Sequence, residues 1–286
     1  MKPVLQENKI SNKLWIMYII IFIICTIGIG ISLYLQFYQD ENLGVIIGIT
    51  DDDSEEQDEY NELKSEFSSL FTNQLENLQG EDVNIEKIQD DYDIIVTAYT
   101  YEKNEDNCSL DVAIPYINID NEITKGYNSE TRSKFKDTAG AYSEGGNSES
   151  IIYNVRYKAY LQNNILSLVI ESELKEGDKS QKIEIKTYNY DIVEQKEVTL
   201  EDLLELKGVT VSEASSKIRE EIEEVQEQNN VYAEQGYNLY TRDIESEIYE
   251  IENTENFFLG NDGMLYVVYA YGNTDYTSEM DIIIFY

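Results

Sequence analysis

The chain has 286 residues, with no histidine, two cysteines and 57 aspartates and glutamates. These counts bound the chemistry before any motif is considered. Without histidine there is no Ser-His-Asp or Cys-His nucleophilic relay and no histidine-ligated zinc. Cys25 lies in an apolar run, so Cys108 is the single thiol outside it, which removes a cysteine-ligated zinc site and an internal disulfide there. Carboxylate chemistry remains: a glycosidase-like acid pair or oxygen-ligated calcium. With so many acids any pair can be picked, so none is singled out as catalytic, and neither a metal nor a cofactor is expected.

Two acidic concentrations stand out. The first is DDDSEEQDE, Asp51–Glu59, where the alternation of Asp51, Asp53 and Glu55 resembles the opening of a calcium loop. No glycine follows at the turn position, so the stretch reads as an acidic linker. The second is Glu220, Glu221, Glu223 and Glu224, on the outer face of an expected helix. A cationic partner would be met by these four glutamates or by Asp51, Asp52 and Asp53. The alternative for both stretches is a solvated face.

The elements that must position these groups begin with Leu14–Leu35, LWIMYIIIFIICTIGIGISLYL, which contains no charged residue. As a helix it is long enough to cross a bilayer's hydrocarbon core. Lys2, Lys9 and Lys13 precede it, while Asp40 and Glu41 follow. The positive flank stays cytoplasmic, so residues 1–13 form a cytoplasmic tail, 14–35 a transmembrane helix, and the rest an extracellular part anchored at the cell membrane. The run is too long for a cleaved signal peptide, and retention is expected. Gly28 and Gly30 are spaced G-x-G, so the usual G-x-x-x-G helix-pairing motif is missing.

The formal charge is −36, and the part after residue 35 holds 18 of the 21 basic and 56 of the 57 acidic residues. Such a surface repels nucleic acid and anionic membranes and favours cationic partners, while also keeping a surface protein soluble. The absence of disulfides from an exported domain suits a bacterium.

Beyond the span, residues 36–91 read as the acidic linker plus an amphipathic helix. That helix is expected over Tyr60–Gln79, where Leu63, Phe67, Leu70, Phe71, Leu75 and Leu78 recur at helical spacing. Tyr92–Glu102 and Ser109–Ile114 read as strands, the second ended by Pro115, with Asn118 or Asp120 capping a following helix. Residues 137–150 read as a Gly- and Ser-rich loop. Ser150–Leu161, Ile165–Leu174 and Gln181–Asp191 form a meander, its first turn at Asn163–Asn164. Thr199 and Asp202 open a short helix, and a longer one covers about Ser212–Gln228. Asn261–Asp262–Gly263 turns a closing hairpin between Phe257–Leu259 and Met264–Tyr271, and Asp281–Tyr286 completes that sheet. The expected class is α+β: antiparallel sheets with helices packed on one face.

Four stretches carry a family resemblance. LDVAIPYINIDNEITKGYN (Leu110–Asn128) resembles the opening of the first extracytoplasmic module in RsiV-like anti-sigma factors, and YNVRYKAYLQNNILSLVIESEL (Tyr153–Leu174) is similar to the hairpin that follows. TYNYDIVEQKEVTLEDLLEL (Thr187–Leu206) and FFLGNDGMLYVVYAYG (Phe257–Gly272) resemble that family's second-module signature and closing hairpin. The same paired modules precede the catalytic domain of PdaC-type peptidoglycan deacetylases. The resemblance implies a first module over 92–186 and a second over 187–286, and a non-catalytic wall-facing sensor whose partner is lysozyme, another cationic protein or a cell-wall component. In the anti-sigma factor that gives that family its name, lysozyme binding leads to proteolysis that frees a sigma factor. The chain departs from the pattern in its 13-residue tail, short for a sigma-binding segment, and in a closing hairpin that lacks the usual Pro-Tyr segment. The alternative reading is a carboxylate-based hydrolase, or an accessory to one, acting on peptidoglycan.

Overall fold

The structure, a computed structural model, describes residues 67–78, 85–105, 107–144 and 149–286. The expected tail, transmembrane run and Asp51–Asp53 lie outside the described residues. Among the described residues no helix is long and apolar enough to cross a membrane.

Two sheets form the centre. The larger contains β1 (Gln74–Asn77), β2 (Ile95–Glu105), β3 (Cys108–Ile117), β4 (Ile151–Gln162), β5 (Ile165–Glu176), β6 (Lys182–Asp191) and β7 (Lys196–Glu197), in the order β2-β3-β4-β5-β6-β7 with β1 also on β4. The smaller contains β8 (Phe257–Leu259), β9 (Leu265–Ala270) and β10 (Met280–Phe285), antiparallel in the order β10-β9-β8. The expected meander is present as β4–β5–β6. Asn163 and Asn164 turn it with φ of 52° and 64°, left-handed values that a two-residue hairpin needs and asparagine tolerates. The expected boundary between residues 186 and 187 falls within β6.

The larger sheet is mixed rather than antiparallel throughout. β3 runs parallel to β4 only from Cys108 to Val112, opposite Ile151–Val155, and then departs. The backbone of β4 beyond that point still needs partners. Gln74–Asn77 supplies them as a parallel strand opposite Lys158–Leu161, and Asn73 bridges the gap. Its backbone N–H donates to the Tyr157 carbonyl at 2.8 Å and its side-chain oxygen accepts from the Tyr157 N–H at 2.9 Å. This replaces the helix expected over Tyr60–Gln79 across its described part. Phe67–Leu70 is a single 3-10 turn, and Asn73, at φ 56°, ends any helical path.

Two further expectations are corrected nearby. Pro115 does not end β3, which continues to Ile117. The proline lies past the β4 pairing, opposite a bulge between Thr97 and Tyr99 of β2, where no ladder N–H is required of it. Neither Asn118 nor Asp120 caps the next helix, because Asn118 is buried and satisfies the Gln89 N–H and three carbonyls, those of Gln89, Tyr92 and Asp93. Asn121 caps α1 (Glu122–Thr131) instead. The helical path continues through a π turn, Arg132–Lys136, into α2 (Asp137–Glu144), where a loop was expected. Fully buried Phe135 and Ala139 hold this extension on the sheet despite its weak helix formers.

α3 (Leu200–Lys207) and α4 (Val211–Glu234) each start with a reciprocal capping box, Thr199 with Asp202 and Thr210 with Glu213. α1 and α2 pack on one face of the larger sheet, against Tyr153, Tyr157, Tyr188 and Tyr190. The opposite face meets the smaller sheet through Tyr160, Val169, Ile185, Tyr266, Val268, Ile282 and Ile284. α3 and α4 cover the far side of the smaller sheet through Leu203, Leu204, Ala214, Ile218 and Ile222. The sheet-rich α+β class therefore holds, in four layers: helices, sheet, sheet, helices.

Candidate ligand cleft

Before its two-residue pairing with β7, the outer edge of β6 is finished by side chains and isolated backbone bonds. Asn273 brackets Ile185, accepting from its N–H and donating to its carbonyl, each at 3.1 Å. The Asn256 side-chain oxygen accepts from the Thr187 N–H at 3.2 Å, and the Asn189 carbonyl accepts from the Val198 N–H at 3.0 Å and the Tyr127 hydroxyl at 3.4 Å. These single bonds close the edge against strand addition without filling the space beside it.

That space is a cleft of about 590 Å³. Its walls come from α1 (Tyr127, Glu130), β6 (Lys186–Asn189), the approach to α3 (Glu197–Glu201), and the stretch Ile251–Phe257 that leads into β8. Five glutamates line it, Glu130, Glu197, Glu201, Glu252 and Glu255, against one lysine, Lys186. All five are exposed, and the field of these carboxylates adds up inside the concavity.

The floor is aromatic. The Tyr127 and Tyr188 rings meet at 4.5 Å between centroids with 35° between planes. Burial, then the Glu197 carboxylate, pushes the Tyr127 phenol well above its usual range, and burial does the same to Tyr188. Both phenols therefore remain neutral, able to donate. The Tyr188 hydroxyl is buried beside Thr131 and Glu130, yet makes no hydrogen bond of acceptable geometry. The Lys186 ammonium lies 5.3 Å from the Tyr188 ring centroid and 2.9 Å from a Glu130 carboxylate oxygen.

Local sequence explains the placement. Lys186 and Tyr188 alternate on one face of β6, Tyr127 and Glu130 are one turn apart on α1, and Glu197 and Glu201 flank the Thr199 cap. The structure does not bring Glu220, Glu221, Glu223 and Glu224 into this cleft. They lie on α4, with Glu220, Glu223 and Glu224 exposed and Glu221 paired to Lys217 at 2.9 Å. No local pattern marks the cleft residues in the sequence, because they are drawn from four separated segments. Among the described residues no group of three or more acids or cysteines is arranged to hold a metal ion.

The fold and cleft define a sheet-rich α+β domain with an acidic, aromatic-floored depression at a capped sheet edge. No protein-family description matches the sequence, and no curated protein does. Among solved structures the chain is similar to a DUF3298 family protein from Pseudomonas aeruginosa PAO1, with TM-score 0.38 and 11% identity over 64% of this chain and 84% of that one. It is also similar to a DUF3298 family member from Bacteroides fragilis NCTC 9343, with TM-score 0.28 and 16% identity over 57% of this chain and 74% of that one.

Proposed function

We propose that this chain is a membrane-anchored, extracytoplasmic binding protein without catalytic activity, and that its cleft receives a cationic partner such as lysozyme or another basic protein. The observation that carries the reading is the grouping of five glutamates and one lysine around the Tyr127–Tyr188 floor. Carboxylates on the rim steer a positive partner and fix its register, and the tyrosine faces attract cations at short range. The uncharged run Leu14–Leu35 and the formal charge of −36 are consistent with an anchored, wall-facing role.

The test is calorimetric titration of the full chain in detergent with lysozyme, at about 0.05 M and about 0.3 M salt, a range over which the Debye length shrinks roughly from 14 to 6 Å. A fixed stoichiometry, and a loss of about three- to tenfold in affinity on converting Glu201 and Glu255 together to glutamine, are expected for exposed charges. Equal binding to every basic protein, unaffected by those substitutions, would sink the proposal.

A further inference from the structure

Lys186 already occupies the position that a ligand cation would take. Its ammonium has a carboxylate on one side, Glu130, and the Tyr188 ring on the other. Its side chain is 23% exposed, against 50% for Glu130, and it lines the depression. Comparable trios occur elsewhere: Lys179 pairs with Glu176 at 3.0 Å and lies 4.9 Å from the Tyr276 ring centroid, Lys158 pairs with Glu76 at 3.1 Å and lies 5.6 Å from the Tyr160 centroid, and Lys182 pairs with Glu184 at 2.5 Å and lies 5.8 Å from the Tyr276 centroid. Two features separate the Lys186 trio from these. Four further glutamates share its cleft, and the Tyr188 hydroxyl, on a residue only 4% exposed, lies there without a hydrogen-bond partner. A buried phenol whose neighbours Thr131 and Glu130 are misaligned for it is costly to leave so, and an arriving polar group can satisfy it.

Resting on the cationic reading above, we propose that the cleft is specific for a lysine side chain of the partner, and that Lys186 is its internal stand-in, which the partner's ammonium displaces from Glu130 and the Tyr188 face. A primary ammonium fits because the resident group is one: a compact point charge with three donors, set against one carboxylate and one ring. The partner's backbone, brought in by the same lysine, offers a carbonyl to the Tyr188 hydroxyl. The device lowers affinity for a lone cation and leaves it for partners that present further positive charge to Glu197, Glu201, Glu252 and Glu255.

The experiment titrates the full chain in detergent with synthetic oligolysine, and with the same peptide acetylated on every side chain. Lys186→Met removes the stand-in, and Lys179→Met makes the same change in net charge outside the cleft. The proposal expects oligolysine to bind Lys186→Met about tenfold more tightly than the unaltered chain, the combined scale of an exposed ion pair and a cation–π contact. It expects Lys179→Met to change nothing and the acetylated peptide not to bind. Lys186→Gln serves as a second variant should Met disturb folding, which circular dichroism checks. If the unaltered chain binds oligolysine but Lys186→Met binds no tighter, or Lys179→Met tightens equally, the stand-in is refuted while the cationic cleft stands. If neither the chain nor its variants bind oligolysine or lysozyme, the cationic reading itself fails, and this inference with it.

Discussion

Arg242 is the perturbation from which the structure predicts most. Its side chain is 3% exposed, and that of its partner Asp281, on β10, is 5% exposed. Nε donates to Asp281 Oδ2 at 2.5 Å and Nη2 to Oδ1 at 2.9 Å, while Nη1 donates to the Tyr240 carbonyl at 3.1 Å and to Glu279 at 3.2 Å. The Tyr271 hydroxyl donates to the same Asp281 oxygen and pairs with the Tyr249 hydroxyl at 2.8 Å. Tyr240 stacks on Tyr271 at 4.1 Å, and the guanidinium carbon is 5.0 Å from the Tyr271 centroid. Burial opposes the charge on Arg242, but the hydrogen bonds and charge of Asp281 overcome it and hold the guanidinium protonated. The network fastens the segment around Arg242 to β10 and to Gln226 of α4.

Arg242→Met strands the Asp281 carboxylate in the interior, with the Tyr271 hydroxyl as its remaining close donor. Breaking a buried pair from one side costs about 3–5 kcal/mol, whereas replacing both partners by apolar groups is often close to neutral. Urea unfolding of the full chain in detergent should therefore show a large loss for Arg242→Met and recovery of most of it in Arg242→Met/Asp281→Leu, which is a strong positive coupling in the double-mutant cycle. A loss under about 1 kcal/mol, or a double variant no better than the single one, would refute the argument that the pair is a desolvated clasp.

Glu171, on β5 opposite Arg156 and Ile185, is 5% exposed, and burial first, then Glu173, pushes its pKa from 4.5 up to about 8. Between those values the folded state holds a proton that the unfolded chain has lost, so stability falls as pH rises through that window; Glu171→Gln should flatten the urea midpoint across it. Gly272→Ala would place a methyl carbon 1.9 Å from the Ile183 carbonyl oxygen, where backbone meets backbone. It should destabilise the protein by more than the roughly 1–3 kcal/mol typical of overpacking, and an unchanged thermal midpoint would contradict that contact.

What the sequence determined by itself is what neighbouring residues settle among themselves. The alternation along Tyr153–Leu161 made β4, the Asn163–Asn164 pair made its turn, and Asn261–Asp262–Gly263 closed the last hairpin, because side-chain period and left-handed tolerance are local properties. Thr199 and Asp202 announced α3 for the same reason, since a cap needs only its own first turn. The tertiary structure decided wherever a distant demand outweighed a local preference. Phe67 and Leu75 recur at helical spacing, yet the unpaired edge of β4 drew Gln74–Asn77 into a parallel strand. Pro115 would halt a strand that needed its N–H, and β3 runs on because a bulge and a missing neighbour excuse it. The cleft belongs wholly to this second kind. Glu130, Lys186, Glu197 and Glu255 are ordinary surface charges in the linear chain, and only the packing of α1 and the Ile251–Phe257 stretch beside the capped edge of β6 sums their fields over two tyrosine rings.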